Sequence, residues 1–365
     1  MATIKRSKAT VQLWYDVQML ELDDLLAKIR LLHDRIRERV LQATKTQSHE
    51  QLAKIVEDDV DGSGDLVFAI DRVSEDELIE FVTEKIASVE PILLICEGIP
   101  NGQMVLPAGA DQESCRWRMI VDPIDGTRPL MYQKRSGWIL TGIAPNRGPT
   151  TGLADIELAV QTEIPIVKQN LSDQLWAIRG RGATSERFDV LTRERQKVEL
   201  RPSTADTIQY GYVSVGRYFP GMRDVLAAIE DEIITQVLGP RPPGGTLTYE
   251  DQYPSTGGQI YSLLSGADRF LADLRPLMTG IAAERGENMM HCCHPYDICT
   301  LLIAEELGVT ITSPAGGPLT IPLDVTTDVA WVGYANEKIR KQVESELQAA
   351  LQQRDLIQKK NWEQK

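Results

Sequence analysis

Residues 117–127 read Trp-Arg-Met-Ile-Val-Asp-Pro-Ile-Asp-Gly-Thr, an apolar run that ends in two acids with Pro-Ile between them. The run predicts a strand, so Asp122 and Asp125 fall where the chain turns and can aim two carboxylates at one point. Pro123 fixes φ and has no amide hydrogen, which stops the strand. Gly126 permits a tight backbone, and Thr127 is placed to cap a helix with its hydroxyl. Two hard oxygen anions beside exposed backbone N–H groups can hold Mg²⁺ and a phosphate together. An ordinary acidic turn, Asp-Pro followed by Asp-Gly, carries the same letters, so the pair alone decides nothing.

Other acids repeat the arrangement. Asp71 follows the apolar run 66–70, Glu97 follows a strand predicted over 92–95, and Asp297 opens a helix predicted over 296–307. An acid directly after an apolar strand is a recurrent way to build a cation site on a sheet edge. The elements that must carry these acids read as follows. Leu13, Met19, Leu20, Leu25, Leu26, Ile29, Leu32 and Ile36 recur at helical spacing and predict a helix over 11–56. Asp61-Gly62-Ser63-Gly64-Asp65 is a turn, and Ser74 to Glu77 reads as a capping box opening a helix that Pro91 ends. Strands are predicted over 137–144, 152–161 and 174–178, the last leading into an Arg179-Gly180-Arg181-Gly182 hairpin turn. Then come strand 210–215, helix 222–238, a Gly/Pro-rich loop over 239–246, helix 258–264, strand 269–274, strands 309–312 and 329–333, and a closing helix. Strands and helices mix throughout without an internal repeat, which predicts a layered α/β protein. With Arg201-Pro202-Ser203 as linker, residues 1–202 carry most of the acids and 203–365 carry Asp297.

Composition sets the bounds. A chain of 365 residues, 42% hydrophobic and 25% charged, is ordinary for a globular protein with a sizeable core. The excess of 53 acidic over 39 basic residues, a formal charge of −14, argues against a nucleic-acid or anionic-membrane partner. No apolar run approaches the roughly 20 residues of a membrane span. The start is basic and polar with no apolar segment behind it, and five cysteines (96, 115, 292, 293, 299) stand in apolar contexts. Reduced thiols and a cytoplasmic setting are the expectation.

At this point the chain resembles the inositol monophosphatase-like superfamily of Mg²⁺-dependent, lithium-sensitive phosphatases, over about 61–349. Asp-Pro-Ile-Asp-Gly-Thr (122–127) matches the first signature of that family letter for letter. Pro295-Tyr296-Asp297, with the helix after it, is similar to the second, and 61–71 is similar to an early Asp-Gly-Ser … Asp segment. Gly257-Gly258-Gln259 resembles a small-residue helix start beside the substrate, and 174–183 resembles a hairpin strand ending in Gly-x-Gly-Ala. The resemblance implies an αβαβα sandwich of the inositol monophosphatase/fructose-bisphosphatase kind, a homodimer, and a small phosphorylated substrate. It implies two Mg²⁺ ions with a weak third: Glu97, Asp122 and the Ile124 carbonyl around one, Asp122, Asp125 and Asp297 around another. Gly126 and Thr127 amides would take the phosphate, Thr127 with Glu97 would orient the attacking water, and Asp71 would steady Thr127. Two cations screen the charge of a phosphate monoester, activate water and stabilise the leaving oxygen, so attack is direct and in line.

Departures refine the reading. Cys96-Glu97-Gly98 stands where the family has Gly-Glu-Glu, so the second acid is missing and the third metal position is in doubt. Arg128-Pro129-Leu130 follows Thr127, and Arg128 with Lys134 and Arg135 could meet a second phosphate or a carboxylate, or be solvated loop charges. That keeps a nucleotide 3′-phosphatase or a sugar bisphosphatase open beside an inositol or sugar monophosphatase. The rival of another class, a catalytically weak binder of phosphorylated ligands or protein, has only Gly98 in its favour. His291-Cys292-Cys293-His294 lacks the spacing of a zinc site and is expected as a packed strand leading to Asp297. Glu305 and Glu306 are expected to be structural or exposed.

Overall fold

The computed structural model describes residues 20–58 and 66–358. The predicted turn at 61–65, the first part of the helix predicted from 11, and the end of the tail lie outside them. Among the described residues no helix is long and apolar enough to cross a membrane.

The first helix, α1 (Leu22–Thr46), buries Leu25, Ile29, Leu32, Ile36 and Val40 completely, a stripe at i, i+4 and i+3 steps. It is shorter than the predicted helix to 56. Ser48 opens a new turn, α2 (His49–Leu52), with a reciprocal Ser48/Gln51 capping box, and the chain then extends into β1 (Ile55–Asp58). β1 pairs antiparallel with β2 (Leu66–Phe68). Helix α3 (Ala69–Phe81) begins five residues before the predicted capping box at Ser74. Asp71 sets the start: its Oδ2 accepts the Phe68 N–H at 2.8 Å, and the Ser74 hydroxyl merely donates to the Asp71 carbonyl inside the first turns. A π-helical turn (Val82–Ala87) continues it.

The next strands are β3 (Ile92–Cys96), β4 (Gln103–Leu106) and β5 (Trp117–Asp125), followed by the short helix α4 (Thr127–Met131). After them come β6 (Gly137–Pro145), β7 (Leu158–Ile164), β8 (Leu171–Ile178), β9 (Ala183–Asp189) and β10 (Arg195–Val198). These eight form one sheet in the order β10-β9-β8-β7-β6-β5-β3-β4, antiparallel except for the parallel pair β3 and β5. β3 and β5 are buried along their whole length, which is why they read as continuous apolar runs rather than alternating ones. Residues 153–155 are a 3-10 turn, not the strand start predicted at 152.

The second part of the chain supplies β11 (Tyr212–Val215), α5 (Arg223–Leu238), α6 (Thr256–Leu264), β12 (Asp268–Asp273), α7 (Thr279–Arg285) and α8 (Leu301–Glu306). β13 (Thr310–Thr312), β14 (Trp331–Tyr334) and α9 (Glu337–Gln352) complete it. Its four-stranded sheet runs β11-β12-β14-β13. The predicted strand at 291–294 is absent. That segment is irregular, and its backbone link is the Val329 N–H to the Cys293 carbonyl at 2.8 Å.

Five layers result. α1 and α3 pack on one face of the large sheet, α6 and α8 fill the space between the two sheets, and α5 with α9 cover the outer face of the small one. α1 is bonded to the sheet by His33, fully buried, whose ring nitrogens meet Thr162 Oγ1 at 2.9 Å and Thr141 Oγ1 at 2.8 Å. Burial, helped by Arg37, pushes its pKa down to about 3, so the ring is neutral there. The 179–182 turn is a hairpin between β8 and β9, as expected. Glu306 has the structural part expected of it, accepting the Gly180 and Gly182 amides at 2.6 and 2.8 Å.

Candidate active site

Register places the first acids. β3 and β5 run parallel with Cys96 opposite Val121, so the next residues, Glu97 just past β3 and Asp122 still within β5, come side by side at the same end of the two strands. The β5–β6 pairing slips between Asp122 and Asp125, where Pro123 offers no donor. Gly126 then turns at φ +80°, and a Cβ there would come within 2.9 Å of the Ser255 Cβ, so both conformation and space call for glycine.

Asp122 accepts the Ile124 N–H at 2.9 Å on Oδ1. Asp125 is held more fully from the middle layer. Its Oδ2 accepts the Ser255 hydroxyl at 2.7 Å and the Gly257 N–H at 2.6 Å, and Oδ1 accepts the Thr256 N–H at 3.2 Å. Asp297 comes from the 3-10 turn Pro295–Ile298, where its Oδ2 accepts the His294 N–H at 2.6 Å. These elements bring one oxygen of each of Asp122, Asp125 and Asp297 within 4.8 Å of one another, with the three residues reaching one pocket from two layers.

Charge is the problem this creates. Burial, then the neighbouring Asp125 and Asp297 carboxylates, holds Asp122 well above the usual carboxylate range. Burial likewise pushes Asp125 up to about 6, against the pull of the Ser255, Gly257 and Thr256 hydrogen bonds. A cluster of hard, all-oxygen donors that repel one another is what a divalent cation such as Mg²⁺ relieves, so the residues fit the metal that the sequence implied. Glu97 lines the same pocket, as do Ile124, Gly126, Thr127 and Arg128. Thr127 Oγ1 is 2.9 Å from Asp71 Oδ1 and 2.8 Å from the Ile124 carbonyl. Asp71 stands behind Thr127, outside the lining of this pocket. α4 is a single turn of five residues, so any anion at its start would meet individual amides rather than a helix dipole.

Two expected substrate contacts fall elsewhere. The Gly257 amide is taken by Asp125, and Gly258 packs against Tyr253 and bonds to Ser255 Oγ at 3.0 Å. The pocket is lined by Ser255 and Thr256 instead. Small residues are still required there, since a Cβ at Gly257 would stand 2.8 Å from Asp125 Oδ2. The His291–Cys293 segment borders the pocket, but among the described residues the three aspartates are the group whose ligand atoms converge.

Several lining residues escaped sequence reasoning. Arg275, 2% exposed, donates to both oxygens of Asp273, to the Tyr218 hydroxyl at 2.5 Å and to the His291 carbonyl at 2.6 Å. Asp273 sits at the end of a strand, the same signal that marked the other acids. Arg128 lies 5.5 Å from the Phe68 ring and 5.4 Å from the Phe219 ring, at the mouth between the acid pocket and a second chamber of about 860 Å³. Among the described residues that chamber is walled by Arg128, Lys134, Arg135, Arg217 and Arg223, with Asp224 as the acid in its lining.

The layer order and the acid edge define a five-layered αβαβα sandwich with an acidic, cation-fitting cleft. No protein-family model and no curated protein matches the chain. Solved structures do. A fructose-1,6-bisphosphatase of Leishmania major in holo form is 12% identical at a TM-score of 0.62, over 92% of this chain and 97% of that one. An IMPase of Thermotoga maritima is 16% identical at 0.57, over 91% and 99%. A protein described as an inositol monophosphatase–fructose 1,6-bisphosphatase is 14% identical at 0.58, over 90% and 100%. The chain therefore has the inositol monophosphatase/fructose-1,6-bisphosphatase fold, as its motifs implied.

Proposed function

We propose that this protein is a Mg²⁺-dependent phosphatase that hydrolyses a small phosphate monoester, an inositol or sugar phosphate, by direct attack of water. The convergence of Asp122, Asp125 and Asp297 within 4.8 Å carries the reading. The residues divide the work. Asp122, Asp125 and Asp297 would hold one cation, and Glu97, Asp122 and the Ile124 carbonyl another. The bound cations would supply charge screening and acidification of water. The Gly126 and Thr127 amides would receive the phosphate oxygens. Thr127 has one hydroxyl proton and two acceptors beside it, so giving that proton to Asp71 leaves a lone pair turned to accept from the attacking water.

A second reading is favoured by the basic chamber: a bisphosphorylated sugar or a nucleotide whose further phosphate lies beyond Arg128. Within it Arg135 is paired with Asp251, and Arg217 with Glu230 and Glu250. Arg223 instead donates to the carbonyls of Arg217, Tyr218 and Phe219, which leaves its charge unbalanced by those contacts. Phosphate release from inositol and sugar monophosphates, sugar bisphosphates and 3′-nucleotides, with Mg²⁺ and with EDTA, tests both. Mg²⁺-dependent release from one class is expected, and silence across the panel by a protein that binds Mg²⁺ would remove the hydrolase reading.

A further inference from the structure

α3 carries two buried acids of different kinds. Glu77 faces α1, where Arg35 and Arg39 each meet one of its oxygens, and it serves to join the helices. Glu75, 3% exposed, turns the other way. Its Oε2 accepts from Arg72 at 2.7 Å, while Oε1 lies over Gly98. A Cβ at position 98 would stand 2.2 Å from that oxygen and 2.8 Å from the carboxyl carbon. No side chain at 98 can coexist with Glu75 as it stands, and Gly98 also has φ +80°.

The space beside this contact is a small cavity of about 10 Å³, which is room for one water. Asp71, Glu75, Glu97 and Asp122 all border it, and Glu97, Asp122 and Ile124 border the acid pocket as well. A carboxylate is costly to bury unless polar groups or water meet it. The apolar core does not need Glu75, since α3 already buries Ile70, Leu78 and Phe81.

We infer that Glu75 is a positioning residue of the metal centre proposed above, on which this inference rests. Its carboxylate, admitted by the missing side chain at Gly98, holds one water against Glu97 and Asp122 and so fixes the Glu97 side of the centre. The acid that the loop lacks is supplied from α3. This removes the one feature that spoke for a non-catalytic binder.

The full-length protein tests this in three readouts: Mg²⁺ titration by calorimetry, thermal unfolding in EDTA, and kcat with KM. Glu75→Gln keeps the shape and is expected to weaken Mg²⁺ binding about tenfold, the scale at which groups supporting metal ligands act. It should lower kcat by a similar factor with KM nearly unchanged, and leave the unfolding temperature in EDTA no lower than that of the wild type. Wild-type Mg²⁺ affinity in Glu75→Gln, with or without a loss of thermal stability, would overturn the inference. A wild type that binds no Mg²⁺ would instead overturn the metal centre itself.

Discussion

Replacing Asp122 by asparagine should make the metal-free protein more stable while removing its response to Mg²⁺. Two carboxylates 4.8 Å apart repel by about 3.5 kcal/mol at an effective dielectric constant of about 20. Three ionised carboxylates make three such pairs, and losing Asp122 removes two of them. Burial and the neighbouring carboxylates already disfavour the charged form of Asp122, so the realised gain is expected to be smaller than this sum, about 1–3 kcal/mol. The substitution costs little in hydrogen bonding, because an asparagine Oδ1 can still accept the Ile124 N–H. For a domain of this size the gain corresponds to a rise of a few degrees in unfolding temperature, on the order of 2 °C per kcal/mol. Mg²⁺ at about a hundredfold excess over its Kd stabilises the wild type by about 2.7 kcal/mol, and the variant should lose that increment along with turnover. Thermal unfolding by circular dichroism, in EDTA and in Mg²⁺, reads both quantities. A variant less stable than wild type in EDTA, or one that keeps the Mg²⁺ increment, would refute the account of Asp122 as a buried charge awaiting a cation.

The same electrostatics predict a pH dependence. Asp125 and Glu75, pushed up to about 6 and about 7 by burial, and Asp122 in the same direction, have folded pKa values above their unfolded ones. Their contribution to stability is therefore full below about pH 4 and is lost as pH rises through about 6 to 7, at about 1.4 kcal/mol for each pH unit by which folding raises a pKa. Because Mg²⁺ binds the ionised forms, the difference in unfolding temperature between Mg²⁺ and EDTA should grow from pH 5 to 7.5; a constant difference would count against the assignment. Gly257→Ala should weaken Mg²⁺ binding at least about tenfold and cost about 1–3 kcal/mol, since its Cβ would press on Asp125 Oδ2 at 2.8 Å and Leu140 Cδ2 at 2.7 Å. Calorimetry showing wild-type affinity would mean that the Asp125 carboxylate is free to move aside. If the basic chamber takes a second phosphate, Arg223→Gln should raise KM for a bisphosphate about tenfold and leave a monophosphate unaffected; equal effects on both would exclude that use of the chamber.

What the sequence disclosed followed contiguity. Asp122, Asp125, Gly126 and Thr127 lie within six residues, so the turn itself could be read from residue type, but two details could not. β5 runs on through Pro123 to Asp125, and Gly126 rather than Thr127 is the N-cap of α4, the Thr127 hydroxyl bonding to Asp71 and the Ile124 carbonyl instead. Glu97 and Asp297 were legible because each ends or begins a strongly apolar element. Glu75 was hidden by its neighbours: Ser74 to Glu77 spells a capping box, whereas Asp71 had already capped the helix and freed Glu75 to turn inward. Arg275 and Tyr218 meet only in space, 57 residues apart, so no local pattern could pair them. β10 is the edge strand of the large sheet and mostly exposed, β9 beside it is half-buried, both are rich in polar residues, and their sequences carry little of the alternation that marks a strand.

The site is also a junction between layers. Asp122 and Asp125 belong to the end of β5 in the large sheet, while Asp297 and the three donors that hold Asp125 belong to the middle layer. Asp125 is therefore placed by packing before any ligand arrives: Gly257 can approach because it has no side chain, and Leu140 of β6 fills the space behind it. Among the described residues Asp122 has a thinner cradle, with the Ile124 N–H as donor and the carboxylates of Asp125, Asp297 and Asp71 as like charges acting on it. The two acids that a bridging cation would share are thus unequally prepared, one fixed by the fold and one held back by its neighbours. A cation entering this corner would gain most from Asp122, where charge is least compensated. Through the fixed Asp125 it would tie the large sheet to α6. If the proposed centre holds a cation, its affinity would depend on the packing of the two layers, and the small residues at 126 and 257 would belong to the site as much as the acids do.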